Sequence, residues 1–115
     1  MIPIIFLLSF LFAASPVSLK VNPKVGIIPL TLAITVTVEK NPDNRVLCLL
    51  WGKTGEEMGS SSCQDLDGSE SPRTFSYPYK TLREPGEWFF IVQVGQVTGK
   101  IIRSKTEIVT VFGGV

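Results

Sequence analysis

The stretch Leu30–Glu39 reads Leu-Thr-Leu-Ala-Ile-Thr-Val-Thr-Val-Glu, and its period is two. Leu30, Leu32, Ile34, Val36 and Val38 fall on one side; Thr31, Thr35, Thr37 and Glu39 fall on the other. Such alternation marks a strand with one face on a core and the other in water. A helix would scatter the same β-branched residues around its circumference. The segment is expected to be a strand, and it sets the fold class.

Working outward, the same period recurs. Ser18–Asn22 is a short first strand closed by Pro23. Arg45–Trp51 is apolar on both faces, as a central strand would be, with Leu47, Leu49 and Trp51 opposite Cys48. Thr74–Tyr79 puts Phe75, Tyr77 and Tyr79 on one side; Pro78, lacking an amide donor, belongs at an edge or a strand end. Glu87–Val97 carries Trp88, Phe90, Val92 and Val94 on one face and Phe89 and Ile91 on the other. Ile101–Phe112 closes the chain as a hairpin with its predecessor, turning near Thr98 and Gly99. Asn41-Pro42-Asp43-Asn44, Asp67-Gly68-Ser69 and Glu84-Pro85-Gly86 supply turns. No segment longer than a turn has helical periodicity. Six to seven short strands with this punctuation predict an all-β, two-sheet antiparallel sandwich of the immunoglobulin-like kind.

The chain has 115 residues, enough for one core, with 11 Lys and Arg against 10 Asp and Glu. The charges are interspersed. A phosphate backbone is usually held by a basic face, so nucleic acid is not expected as a partner. Histidine is missing altogether, which removes the commonest general base and metal ligand. The run Ile2–Ala14 is apolar and uncharged. It is too short for a bilayer, which needs roughly 20 residues, and has the length of a signal h-region, roughly 7–15 residues. Residues 1–15 are therefore read as a signal peptide and residues 16–115 as the sandwich domain. The cleavage point stays open: Ala13 and Ser15 are suitably small but precede Pro16, while cutting after Ala14 leaves Phe12 three residues before the bond. A secreted or cell-surface location follows, with no stable membrane span once the signal is removed.

Three stretches carry a family resemblance. Asn22-Pro23, Gly26 and Pro29-Leu30-Thr31 resemble the opening of the polycystic-kidney-disease (PKD) repeat and its immunoglobulin-like relatives. Trp51 ends the third expected strand. Tyr79, then Pro85-Gly86-Glu87-Trp88 leading into Phe90, Val92 and Val94, is similar to the family's approach to its penultimate strand. The Trp-Asp-Phe-Gly-Asp-Gly signature is not present; Trp51 runs into Gly52-Lys53-Thr54-Gly55. The resemblance implies an adhesive, spacer or substrate-presenting domain of an exported protein.

Cys48 and Cys63 are the only cysteines, and in an exported protein an even count favours a disulfide. With Leu47, Leu49 and Trp51 on the core, the bridge would lie on the outer face and pin residues 52–62. Free thiols and a redox pair are the competing readings, the latter without a Cys-X-X-Cys spacing to support it. Asp65, Asp67 and Glu70 surround Gly68 and form a candidate site for a hard cation such as Ca²⁺, although the full calcium-loop pattern is not there. A solvated turn explains the same residues. Glu56, Glu57, Glu84 and Glu87 are not placed across a cleft by any pattern, and Ser60-Ser61-Ser62 has no base to activate it. Tyr77, Tyr79 and Phe89 are candidates for an exposed binding surface, against a reading in which aromatics fill the core.

The expectation is thus a non-catalytic exported binding, adhesion or structural module, without cofactor, whose partner is an extracellular protein or glycan. A carbohydrate-binding accessory module and a cation-stabilised domain are the alternatives.

Overall fold

The structure is a computed structural model that describes residues 16–56, 59–70 and 74–114, with only the backbone of residues 78 and 79. The expected signal segment, residues 1–15, lies outside the described residues.

The chain folds as an all-β sandwich of two sheets. One sheet has the order β1-β3-β6, formed by β1 (Val17–Asn22), β3 (Leu30–Val38) and β6 (Thr74–Leu82). The other runs β2-β9-β7-β4-β5, from β2 (Val25–Ile27) through β9 (Glu107–Phe112), β7 (Gly86–Gln96) and β4 (Asn44–Lys53) to β5 (Ser60–Asp65). A short β8 (Ile101–Arg103) also pairs with β7. All pairings are antiparallel except β2 with β9, which is parallel. The described strands number nine, beyond the expected six to seven, because β2, β5 and β8 are too short or too polar to carry a period-two signal.

The alternation read at Leu30–Glu39 becomes burial. Leu32, Ile34, Val36 and Val38 are closed off from solvent, while Thr31 and Ala33 are exposed. They meet Leu47 and Leu49 of β4, Phe90, Val92 and Val94 of β7, and Val109 and Val111 of β9. Phe90 is the largest of the fully buried side chains. Fully burying a side chain of this size is worth about 1.5–3 kcal/mol. Trp51, Phe75, Tyr77 and Trp88 lie half-buried against this core. Pro78 sits on the edge strand β6 where the register with β3 shifts between Leu32 and Ile34, a place that tolerates a missing amide.

The turns close as their residues suggest. The Asn41 side chain accepts from Asp43 N at 2.8 Å, an Asx turn, and Asn44 N donates to Asn41 O at 3.1 Å. Gly99 turns the β7–β8 hairpin at φ 90°, its amide donating to Gln96 O at 2.9 Å. Chain closure after β8 is interrupted by buried Ser104, whose Oγ accepts from Val92 N at 3.0 Å and donates to Lys105 O at 2.9 Å.

Candidate functional site

Among the described residues the one pair of chemically reactive groups brought into contact is Cys48 with Cys63. They stand directly opposite on β4 and β5 with Cα atoms 4.1 Å apart, and their sulfurs are bonded at 2.07 Å. The register explains the contact. β4 turns Leu47 and Leu49 into the core, so Cys48 points outward, and Ser61–Leu50 and Cys63–Cys48 share that outer face. Every residue of β5 is exposed, Cys63 included. No side chain of this strand enters the core. Its far end is anchored by buried Leu66, whose amide donates to Arg45 O at 2.8 Å. The near end is held close by two glycines. A Cβ on Gly59 would lie 2.9 Å from Trp51 O, and one on Gly52 would lie 3.1 Å from the Phe89 ring. Both ends of the pinned segment are thus strand, residues 52–53 in β4 and 60–62 in β5, where the sequence suggested a loop.

Beside the bridge, Leu50, Phe89, Ile91, Gly59, Ser60 and Ser61 line a shallow hollow of about 270 Å³. Phe89 is half-buried there on the outer face. Tyr77 is on the opposite side of β6 from that expected of a binding platform: its ring packs against the core, and its hydroxyl lies 3.4 Å from Gln64 Oε1. Burial raises the Tyr77 pKa. The Tyr79 side chain lies outside the described residues. Lys80 sits 3.5 Å above the Trp51 ring, which favours its charged form, but burial prevails and lowers its pKa.

Asp65 ends β5, while Asp67 and Glu70 belong to a single turn, with Glu70 N donating to Asp67 O at 3.1 Å. Gly68 packs this turn tightly on the Asn41–Asn44 loop; a Cβ would approach Pro42 O to 2.9 Å. Among the described residues no group of three or more His, Cys, Asp or Glu is arranged to hold a metal ion.

A polar cluster at one end of the sandwich escaped the sequence reading. Buried Asn44 donates from Nδ2 to Glu39 O at 3.1 Å and accepts at Oδ1 from Gln96 Nε2 at 3.0 Å. It ties the β3–β4 turn to the end of β7. The sequence signal was only Asn44 at a turn and Gln96 breaking an apolar run.

No family model matches the sequence, and no curated protein matches it. Solved structures that share the fold include superoxide reductase (neelaredoxin) from Ignicoccus hospitalis and its T24K variant. Each aligns with a TM-score of 0.61 at 11% identity, covering 83% of this chain and 80% of theirs. The likeness establishes the fold. It corrects two expectations, that the chain is not an enzyme and that it is a non-catalytic exported binding, adhesion or structural module (or a carbohydrate-binding or cation-stabilised one). Those rested on the habits of sandwich domains and on the missing histidine, carboxylate pair and activated serine, and these two neelaredoxins are enzymes; fold does not fix function. Redox metals are held chiefly by imidazole and thiolate, yet this chain has no histidine and both its cysteines are bonded to each other. Its residues do not fit such a centre. The chain is similar to these enzymes in architecture, and its own redox-capable group is the Cys48–Cys63 pair.

Proposed function

We propose that the chain is an exported redox domain on an immunoglobulin-like, PKD-like sandwich. In this reading Cys48 and Cys63 alternate between disulfide and dithiol against the thiols of other exported proteins. One observation carries it. The bridge lies on the outer face, at an exposed strand none of whose side chains enters the core. It can open and close without dismantling the sandwich.

Several features support the setting. Disulfides persist in oxidising compartments, and the apolar run Ile2–Ala14 has the form of an export signal. The order β1-β3-β6 opposite β9-β7-β4-β5 parallels immunoglobulin strands A-B-E opposite G-F-C-C′. Among the described residues no helix is long and apolar enough to cross a membrane.

The chemistry is thiol–disulfide exchange. A partner thiolate attacks the exposed Cys63 sulfur, the Cys48–Cys63 bond breaks, and Cys48 leaves as a thiolate. A second partner thiolate then attacks the partner sulfur of the mixed disulfide. The partner ends as a disulfide, and the pair ends as a dithiol after taking up two protons. The shared fold favours a second reading, in which the dithiol form reduces superoxide. Two thiols and two superoxide anions, with two further protons, give the disulfide and two molecules of hydrogen peroxide.

The test is equilibration in glutathione buffers, read by alkylation and intact mass. A redox couple of an exported protein should have a midpoint of about −120 to −210 mV, whereas a bridge with only a stapling role lies below about −300 mV. The lower value would overturn the proposal. Superoxide consumption by the reduced protein, compared with the Cys48→Ser/Cys63→Ser variant, tests the second reading; equal rates remove it.

A further inference from the structure

The far edge of the larger sheet carries a feature unrelated to the cysteine pair. Val25 and Ile27 of β2 are each 61% exposed, Phe112 is 56% exposed and Ile108 39%. The register puts Val25 beside Thr110 and Ile27 beside Phe112. Val109 and Val111 face the core, so all four apolar side chains share the outer face. Alongside, Lys24 Nζ lies 2.7 Å from Glu107 Oε2, a closed ion pair. This edge of the face is apolar, with Thr110 and, one strand further in, exposed Glu87 as its polar neighbours.

The backbone of β2 is half used. Lys24 O accepts from Thr110 N at 2.8 Å, and Ile28 N donates to Phe112 O at 3.0 Å. Strand alternation therefore turns residues 24, 26 and 28 toward β9 and Val25 and Ile27 away from it. Among the described residues no strand pairs with that outer edge. Pro23 and Pro29, which have no amide, limit it to a few residues.

We propose that this edge pairs with the same edge of a second copy, antiparallel about a two-fold axis at Gly26. The symmetry is self-consistent. With Gly26 opposite Gly26, Val25 of each chain faces Ile27 of the other, and these are the residues whose N–H and C=O point outward. They form hydrogen-bonded pairs, while Gly26 occupies the intervening pair whose backbone groups point away. The same operation brings both sets of Val25 and Ile27 together on one face, flanked by Phe112 and Ile108. An isologous contact needs a patch that does not repel itself; the edge is apolar and its charged neighbour Glu87 stands two strands in from it, which meets that need. Three residues of strand make a small interface, so the dimer is expected to be weak and transient.

The experiment is sedimentation velocity on the purified chain over a concentration series, together with amide hydrogen exchange. The expected result is a shift from the mass of one chain toward two. Exchange at the Val25 and Ile27 amides should slow as concentration rises, while Gly26, turned toward β9, stays unchanged. Ile27→Lys, an exposed substitution with a residue that blunts edges, should hold the protein monomeric with an unaltered melting temperature; Phe112→Ser should weaken association by about tenfold. Monomers throughout, concentration-independent exchange at Val25 and Ile27, or a dimer that survives Ile27→Lys would each overturn the proposal.

Discussion

When the Cys48–Cys63 bridge is reduced, the strand it releases is β5, and the packing limits how far the effect spreads. The bridge spans a sequence separation of 15. Freeing a loop of that length in the unfolded chain costs the native state about 3 kcal/mol. Domains of this size are stable by about 5–15 kcal/mol, so the reduced sandwich should remain folded. Global unfolding becomes easier by at most about two powers of ten, at about 1.4 kcal/mol per power. That is the ceiling for amides of β7, which sits in the middle of its sheet. β5 has no buried side chain and rests on one ladder, to β4. Once the bond is gone, it opens by a local route that the core does not share. Native-state hydrogen exchange on oxidised and reduced protein reads both. β5 amides such as Ser62 and Gln64 should lose nearly all protection, and Val92 and Val94 should lose no more than about a hundredfold. If the β5 and β7 amides fall together, or the reduced chain unfolds, the bridge holds the core and the argument from exposure fails.

Three further outcomes follow from burial and hydrogen bonding. Phe90→Ala should cost about 3–5 kcal/mol in chemical denaturation, whereas Phe89→Ala, one residue earlier and half-buried on the outer face, should cost roughly 1 kcal/mol. Asn44→Ala leaves Gln96 Nε2 and Glu39 O without their buried partner, and a loss of about 1–3 kcal/mol is expected by the same assay. Burial raises the Tyr77 pKa above its usual 10.0, so the folded chain keeps that proton longer than the unfolded one. The associated stability is intact below pH 10 and is lost as pH rises through the raised value. Lowered Lys80 works in the opposite sense just below its usual 10.5, so Tyr77→Phe compared with wild type, by phenolate absorbance and alkaline melting, isolates the tyrosine.

The strands that carry the core were legible because burial itself writes the period. β3, β4 and β7 each bury alternate residues, and their boundaries fell within about two residues of the reading, the usual ambiguity of strand ends. The bridge on the outer face was legible for the same reason, since Leu47 and Leu49 fix the orientation of Cys48. β5 was not. A run of serines has little strand propensity, and Ser60–Asp65 is a strand because β4 and the bridge hold it there. β2 was hidden by its length and by the parallel pairing with β9, a contact between residues far apart in sequence. The Asn44–Gln96 hydrogen bond is equally non-local. Function was not legible in the same way: the non-catalytic reading leaned on the habits of sandwich domains and on missing residue types, neither of which a shared architecture respects.

The two edges of the larger sheet bring these threads together. An open edge offers unpaired N–H and C=O groups to any passing strand, and stable proteins blunt it. At β5 the edge is blunted by polarity, with exposed serines and Gln64, and is fastened covalently through Cys48. At β2 the protection is brevity, with prolines on either side of an apolar triplet. The consequences differ. Opening the bridge would free β5 and bare the edge of β4, where Leu50 and Trp51 are only half-buried, so the reduced form should be the more aggregation-prone of the two. Light scattering on reduced Ile27→Lys protein separates the edges, because that substitution closes β2 and leaves β4. Aggregation that persists on reduction in this variant assigns the hazard to β4, and its disappearance would assign it to β2 instead.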